Sequence, residues 1–185
     1  MTSVMLSLRP YWAFCLFSGV KTLELRKSFP GRLPRPFKVA VYCSSARLRD
    51  SEREIIAHDK WFHGMGLSRG HLCYGSGPLN CCPMEGQVVG AFICDGVDTL
   101  TSRRSRHQAE FWTKALAHTC ASNARIEEYF GMAIRHIDRA ILWHIKKPMI
   151  TLPVPIEVYT CKQITQPHPS WSTYRDINEQ RGVEL

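Results

Sequence analysis

The sequence contains no apolar stretch approaching the roughly 18 residues that a transmembrane helix needs. Its first residues also lack a basic start followed by an apolar stretch and a small-residue cleavage site, so no secretory signal is predicted. We therefore expect a cytoplasmic protein that does not span a membrane.

Several motifs of well-known enzyme classes are also absent. The sequence has no G-x-S-x-G elbow, no Walker loop and no Rossmann fingerprint. These absences argue against an α/β serine hydrolase, a P-loop nucleotide hydrolase and a dinucleotide-dependent oxidoreductase. There is no internal repeat or low-complexity tract. We predict no cofactor.

Cysteine is well represented, with eight residues, but its spacing does not predict a disulfide scaffold. Five cysteines lie within or beside apolar segments, where a free thiol packs as a small hydrophobic group: Cys15, Cys43, Cys94, Cys120 and Cys161. We expect reduced thiols. Six histidine and cysteine positions between residues 58 and 82 are candidates for zinc, namely His58, His63, His71, Cys73, Cys81 and Cys82. Their spacing departs from the usual ligand pairs, so no metal is predicted.

The composition favours one folded domain with a polyanionic partner. The 185 residues are 44% hydrophobic, which is enough for a substantial core. The formal net charge is +8 and the isoelectric point about 9.2. A basic surface of this kind attracts nucleic acid, although a net charge of this size can also serve only solubility.

The hydrophobic patterns predict a mixed fold. In chain order we predict strands over 4–8, 22–26, 39–43 and 87–97, helices over 10–18, 105–119 and 122–130, and a strand-rich stretch over 133–145 that Pro148 ends. Between about 44 and 86 the pattern dissolves, and we interpret this stretch as a long insertion in a single domain spanning 1–185. The order is not a regular alternation of strands and helices, which favours an α+β fold with a mostly non-parallel sheet.

Residues 19–26 carry the spacing G-x-K-x-x-E-x-R directly after the first predicted helix. This segment resembles the signature of the ASCH family, and shorter blocks at 39–43, 86–92, 147–148 and 167–171 are similar to phage and prophage members. The resemblance implies a PUA-like small β-barrel with flanking helices. It also implies a role with RNA or nucleosides. Some small family members are amidohydrolases of N4-acetylcytidine, and one is implicated as a ribonuclease.

The signature supplies three charged candidates for chemistry. Lys21 could act as a base or nucleophile if its environment lowered its pKa, could stay charged and hold a phosphate or carbonyl oxygen, or could be an ordinary surface lysine. Strand alternation places Glu24 and Arg26 on one face with Thr22, as a binding pair or as a structural ion pair. Lys21 can reach Glu24 only if it lies in the turn after Gly19.

The amidohydrolases that this sequence resembles carry threonine where this chain has Glu24, and they use a downstream glutamate. Glu110 is the nearest candidate for that glutamate, with Glu127 and Glu128 further away. A hydrolase would then use Lys21, Glu24 and Glu110, with the lysine and a glutamate activating water.

Aromatic side chains can stack on bases. We consider Trp61, Trp143, Tyr42 and Trp171, and we favour Trp171 because it follows a polar segment in which Ser170 could contact a base edge. The predicted RNA- or nucleoside-binding set is Lys21, Thr22, Glu24, Arg26, Tyr42, Ser170 and Trp171.

Three functions follow, in order of preference. The first is an RNA- or nucleoside-binding module whose cleft surrounds Lys21, Glu24 and Arg26. The second is a hydrolase of the same family type, either an N4-acylcytidine amidohydrolase or a ribonuclease. The third is a phage-type interaction factor that binds a protein partner through the 44–86 insertion.

Overall fold

The computed structural model describes residues 2–46, 49–52, 86–101, 112–113, 116–155 and 171–175. Their elements are β1 (Thr2–Leu8), α1 (Pro10–Phe17), β2 (Leu23–Arg26), β3 (Phe37–Cys43), β4 (Gln87–Cys94), β5 (Val97–Thr101), α2 (Asn123–Phe130), a 3-10 turn (Ile134–His136), β6 (Arg139–His144), β7 (Lys146–Pro155) and β8 (Trp171–Arg175). Residues 112–113 and 116–119 are also helical. Most of the predicted 44–86 insertion and part of the predicted 105–119 helix lie outside the described residues.

The described strands form two sheets, with the orders β7-β4-β3-β1-β8 and β2-β6-β5. Strands β1 and β3 are parallel, and the other pairings are antiparallel. The parallel pair needs a crossover connection, which here runs through α1 and β2. The predicted α+β class with a mostly non-parallel sheet is confirmed.

The predicted closed barrel is wrong for the part of the chain that the structure describes. In the five-stranded sheet, β7 pairs only with β4 and β8 only with β1, so the two ends of the sheet do not meet. The reason is the pairing of β6. It hydrogen-bonds to β2 and β5 and forms a separate sheet with them, instead of joining the two edges.

The central strands are buried on both faces. Along β1, Val4 and Leu6 belong to the main core under α1, whereas Met5 points to a smaller apolar cluster on the opposite face. Along β3, Val41 likewise packs in the main core, whereas Tyr42 packs in the smaller cluster on the opposite face. Because successive strand residues face opposite sides of a sheet, the continuous apolar run over 39–43 indicates a strand covered on both sides.

Helix α1 covers the main core and ends just before the signature segment. Pro10 occupies its first turn, where the missing N–H removes no hydrogen bond. After Ser18 the chain leaves the helix through Gly19, whose φ of +78° is a left-handed conformation that glycine adopts without strain. This turn places the following residues beside α1 and not beyond its end.

Helix α2 covers the smaller sheet and one side of the site described below. Ser122 caps its N-terminus by accepting a hydrogen bond from the backbone N–H of Arg125, and Gly131 ends it with a φ of +73°. Ile126 and Phe130 pack with Leu25, from β2, in a second core. Both predicted ends of this helix are confirmed.

Pro148 does not end the extended structure, contrary to the sequence-based expectation. It lies within β7, and the register between β4 and β7 shifts between Ala91 and Ile93, opposite this point. Within the described strands β7 is an edge strand, and proline is tolerated at edges and bulges because no ladder hydrogen bond is lost there. Among the described helices, none is long and apolar enough to cross a membrane.

Gly90 lies in β4 at a position where the surrounding atoms leave no space for a side chain. A β-carbon there would overlap the Met149 carbonyl oxygen and lie 2.6 Å from the Phe17 ring. We expect Gly90→Ala to lower the free energy of unfolding by about 1–3 kcal/mol, as overpacking does, in denaturant titrations. Gly31→Ala is the matched control, because its β-carbon would make only ordinary contacts of 3.6 Å or more. Equal stability of the two variants would contradict this close packing.

Candidate functional site: a buried ion row lining a cavity

A cavity of about 270 Å³ lies where the two sheets approach each other. The end of β1, helix α1, strand β2, residues 119–121 and helix α2 supply its walls. Its lining residues are Ser7, Leu8, Arg9, Trp12, Lys21, Glu24, Leu25, Arg26, Thr119, Ala121, Arg125, Ile126 and Tyr129. The size lies just below the range usual for small-molecule sites, about 300–1,000 Å³, and suits a single heterocycle.

Lys21 is held at the cavity by its backbone and its amine. Its N–H donates to the Cys15 carbonyl of α1 at 2.8 Å. Its Nζ donates to the Thr119 carbonyl at 3.1 Å and lies 2.9 Å from Glu24 Oε2. Lys21 precedes β2 and lies in the turn after Gly19. The alternation of strand residues, which would place its side chain on the opposite face from Glu24, therefore does not apply to it.

Glu24 and Arg26 complete a row of three buried charges. Arg26 Nε lies 2.7 Å from Glu24 Oε1, and its Nη2 donates to the Ser7 carbonyl at 2.8 Å. No more than 5% of any of the three side chains is exposed. Burial raises the pKa of Glu24, but the charges and hydrogen bonds of Lys21 and Arg26 outweigh it and hold that pKa below its ordinary value. Glu24 is therefore ionised at neutral pH.

Two aromatic rings border the cavity. The Lys21 amine lies 4.9 Å from the centre of the Trp12 ring, a cation–π distance. On the α2 side, Tyr129 lines the cavity and keeps 39% of its surface exposed. The Lys27 amine lies 5.1 Å from its ring centre. An aromatic side chain therefore borders the cavity on each of two walls.

Among the described residues that line the cavity, four side chains are basic and one, Glu24, is acidic. Arg125 is paired with Glu52 and, at 3.5 Å, with Glu128. An anionic ligand is favoured electrostatically at such a surface.

Three other predicted site residues lie in the described part of the chain and do not join this cavity, namely Thr22, Tyr42 and Trp171. Thr22 is exposed and hydrogen-bonds with His118. Tyr42 is buried in the small cluster on the far face of the larger sheet. Trp171 packs near Trp143, with ring centres 6.4 Å apart, and it does not line the cavity.

The remaining predictions concern glutamates, Ser170 and the zinc candidates. Glu128 is exposed and pairs with Arg49, and Glu127 accepts a hydrogen bond from the Ile134 N–H, so neither lines the cavity. Glu110, Ser170, Trp61 and the histidines and cysteines considered for zinc lie outside the described residues. Their predicted roles stay predictions.

Sequence reasoning missed Arg9, Trp12, Arg125 and Tyr129. Trp12 lies in a densely apolar helix, so its pattern indicates a core residue. Arg9 directly precedes that helix, which was a usable signal because residues at strand-to-helix junctions often line sites. Arg125 and Tyr129 are four residues apart, which places them on one helix face, but only the tertiary structure turns that face toward β2.

No family model matches this chain, and no curated protein is detectably similar in sequence. Among solved structures, it matches the ASCH protein of Zymomonas mobilis with a TM-score of 0.60 and 15% identity, covering 97% of this chain and 92% of that chain. Two variants of that protein match with TM-scores of 0.60 and 0.59, also at 15% identity. The chain has the fold of an ASCH protein.

The match extends over nearly the full length of both chains, so the ASCH fold accounts for the overall arrangement of the elements. The resemblance predicted from residues 19–26 is therefore confirmed at the level of fold. The matched structures come from Zymomonas mobilis and lend no support to a phage origin.

Proposed function

We propose that this ASCH-fold protein binds RNA by taking one nucleobase, or a free nucleoside, into the cavity beside Lys21, Glu24 and Arg26. One observation carries the proposal: the buried row of Lys21, Glu24 and Arg26 lines a cavity that also has an aromatic wall. Glu24 offers acceptor oxygens that suit an exocyclic amine of a base. Lys21 and Arg26 offer donors that suit its carbonyl oxygens or a phosphate.

The energetic cost of burying the three charges of Lys21, Glu24 and Arg26 supports a binding role. Removing three charges from water is expensive, and well-packed apolar side chains in the same place are often equally stable or more so. A buried ion network is therefore weak evidence for a purely structural role. Its position beside a cavity of heterocycle size, next to Trp12, favours a role in recognition.

The charge of the surroundings favours a ligand with phosphates. The whole chain carries a net charge of +8, and Arg9 and Arg125 lie in the wall of the same cavity. A base in the cavity would leave its sugar-phosphate chain near these cations. Phosphate contacts of this kind provide affinity that depends on salt.

The state of Glu24 favours binding over hydrolysis. A general base works best when its pKa lies near the working pH, whereas the pKa of Glu24 is held below its ordinary value. The threonine that the family's amidohydrolases carry at this position is also replaced. The hydrolase interpretation therefore ranks second. The protein-interaction interpretation depends on the 44–86 insertion and ranks third.

We expect the affinity for a single-stranded oligoribonucleotide to fall steeply with salt and to decrease by about tenfold or more in Arg26→Ala. The reason is that a hydrogen bond to a charged group contributes about 1.5–3 kcal/mol. Fluorescence anisotropy at several salt concentrations measures both effects. Arg139→Ala is the matched control, because Arg139 is exposed at the start of β6 and does not line the cavity.

Circular dichroism would verify that both arginine variants are folded. RNA binding that ignores salt and survives Arg26→Ala would refute the proposed site. Incubating the protein with RNA and with N4-acylated cytidine, followed by chromatography, tests the hydrolase alternative in the same samples. Turnover that is lost in Lys21→Ala would favour that alternative.

A further inference from the structure

Two cysteines lie in the two segments to which Lys21 hydrogen-bonds. Cys15 is buried in α1, and its carbonyl accepts the hydrogen bond from the Lys21 N–H. Cys120 follows Thr119, whose carbonyl accepts from the Lys21 amine. Both thiols are free, and Cys120 packs against the apolar core cluster that contains Cys15. A hydrogen bond between the two thiols is the main cause of the shifts in their pKa values. Two segments that are far apart in sequence therefore meet at a thiol pair and share one lysine.

The pKa values of the two thiols shift in opposite directions. The hydrogen bond from Cys15 lowers the pKa of Cys120 to about 7, while burial opposes this shift and the Lys21 charge reinforces it. The same hydrogen bond, together with burial, raises the pKa of Cys15. A thiolate that a neighbouring thiol and a cation stabilise is the usual arrangement of a reactive cysteine. Cys94 provides the contrast, because burial raises its pKa to about 11.

The backbone and exposure of Cys120 also distinguish it. Its φ is +58°, a left-handed conformation that is uncommon for a residue with a side chain and that often marks a functional position. Cys120 is only half buried, whereas Cys15 is buried. A small oxidant can therefore reach Cys120 first, with Cys15 behind it as the second thiol.

We propose that Cys15 and Cys120 form an oxidisable thiol pair that a peroxide converts to a disulfide, and that this change weakens ligand binding at the cavity. The Cys120 thiolate attacks the peroxide, its sulfur gains an oxygen, the O–O bond breaks and hydroxide or alkoxide leaves, yielding a sulfenic acid. Cys15 sulfur then attacks Cys120 sulfur. The S–S bond forms, the S–O bond breaks, and the oxygen leaves as water with the proton from Cys15.

The coupling to the cavity follows from the shared lysine. The sulfur atoms of a disulfide are about 2.05 Å apart, so bond formation draws the 119–120 segment toward α1. The Thr119 carbonyl moves with that segment, and it is the acceptor for the Lys21 amine. The amine would then shift relative to Glu24. This second half of the proposal rests on the proposed binding function.

The test treats the full chain with hydrogen peroxide and maps its peptides without reduction. In the wild-type protein we expect a disulfide-linked pair of peptides that contain Cys15 and Cys120. The linked pair should be absent from Cys120→Ser and present in Cys94→Ser, which is the control because Cys94 is a buried cysteine outside the pair. Anisotropy of the same oligoribonucleotide should show at least about fivefold weaker binding after oxidation, as expected for coupled sites. A thiol reductant should restore the binding, and Cys120→Ser should show no such change.

The two halves fail in distinguishable ways. Absence of the linked peptides in the oxidised wild-type protein overturns the thiol pair, whatever the variants do. Linked peptides with unchanged RNA affinity overturn the coupling to the cavity. If the reduced protein binds no RNA, the proposed function has failed, and the peptide map still decides on its own whether the thiol pair exists.

Discussion

Glu24→Ala should lower the free energy of unfolding by about 3–5 kcal/mol, because it leaves two buried cations without their carboxylate. Glu24 lies 2.9 Å from Lys21 Nζ and 2.7 Å from Arg26 Nε. Urea titrations followed by circular dichroism at neutral pH measure the loss. Glu128→Ala is the control. Its carboxylate is exposed and paired with Arg49, and exposed pairs contribute little, so no measurable loss is expected.

Two further variants separate the charge of Glu24 from its packing. Glu24→Gln removes only the charge. Since the pKa of Glu24 is lowered on folding, its charge stabilises the protein above the unfolded-state pKa, about 4.3, and this contribution is lost as the pH falls through the folded-state value. The stability difference between wild type and Glu24→Gln should therefore narrow in acid. A constant difference from neutral to acid pH would contradict the charge argument.

A variant that lacks all three charges tests whether the row is needed for stability, for ligand binding or for both. The triple variant Lys21→Met, Glu24→Leu and Arg26→Met should recover most of the stability that Glu24→Ala loses, because apolar replacement of a whole buried ion network is often neutral or stabilising. We expect its RNA affinity to stay low. Recovery of both properties would show that the row does not recognise the ligand.

From the sequence, Lys21 could meet Glu24 only if it lay in the turn after Gly19, and the structure places it there. The signals are local: Gly19 permits the left-handed turn that follows α1, and the alternation of β2 places Glu24 and Arg26 on one face. The helix ends at Ser122 and Gly131 were predictable for the same reason. Such features depend on a few neighbouring residues and hardly on the rest of the chain.

The aromatic wall and the division into two sheets were not predictable in this way. Trp12 lies in a densely apolar helix, whose pattern indicates a core residue, whereas the polar segment before Trp171 favoured that residue, which does not line the cavity. The second sheet depends on the pairing of β2 with β6, two segments more than 100 residues apart that bring Leu25 opposite Leu142. Hydrophobic patterns predict that a strand exists, but they do not name its partner.

Trp12→Ala should weaken binding of a single-stranded oligoribonucleotide by about 1–3 kcal/mol, or about 5- to 150-fold, the range for loss of one base-stacking ring. The Trp12 ring lines the cavity and lies 4.9 Å from the Lys21 amine. The substitution therefore removes the aromatic wall and the cation–π contact together. Trp12→Phe should retain most of the affinity, because phenylalanine keeps an aromatic face at the same position.

Trp171→Ala is the decisive comparison for the aromatic wall. Trp171 packs near Trp143 and donates from its Nε1 to Ser28 Oγ at 3.1 Å, away from the cavity lining. We expect a loss of stability and an RNA affinity equal to that of the wild type, measured in conditions where both tryptophan variants are folded. If Trp171→Ala abolished binding while Trp12→Ala left it intact, the base would have to stack outside this cavity, and the recognition site would lie along the β8 edge of the larger sheet.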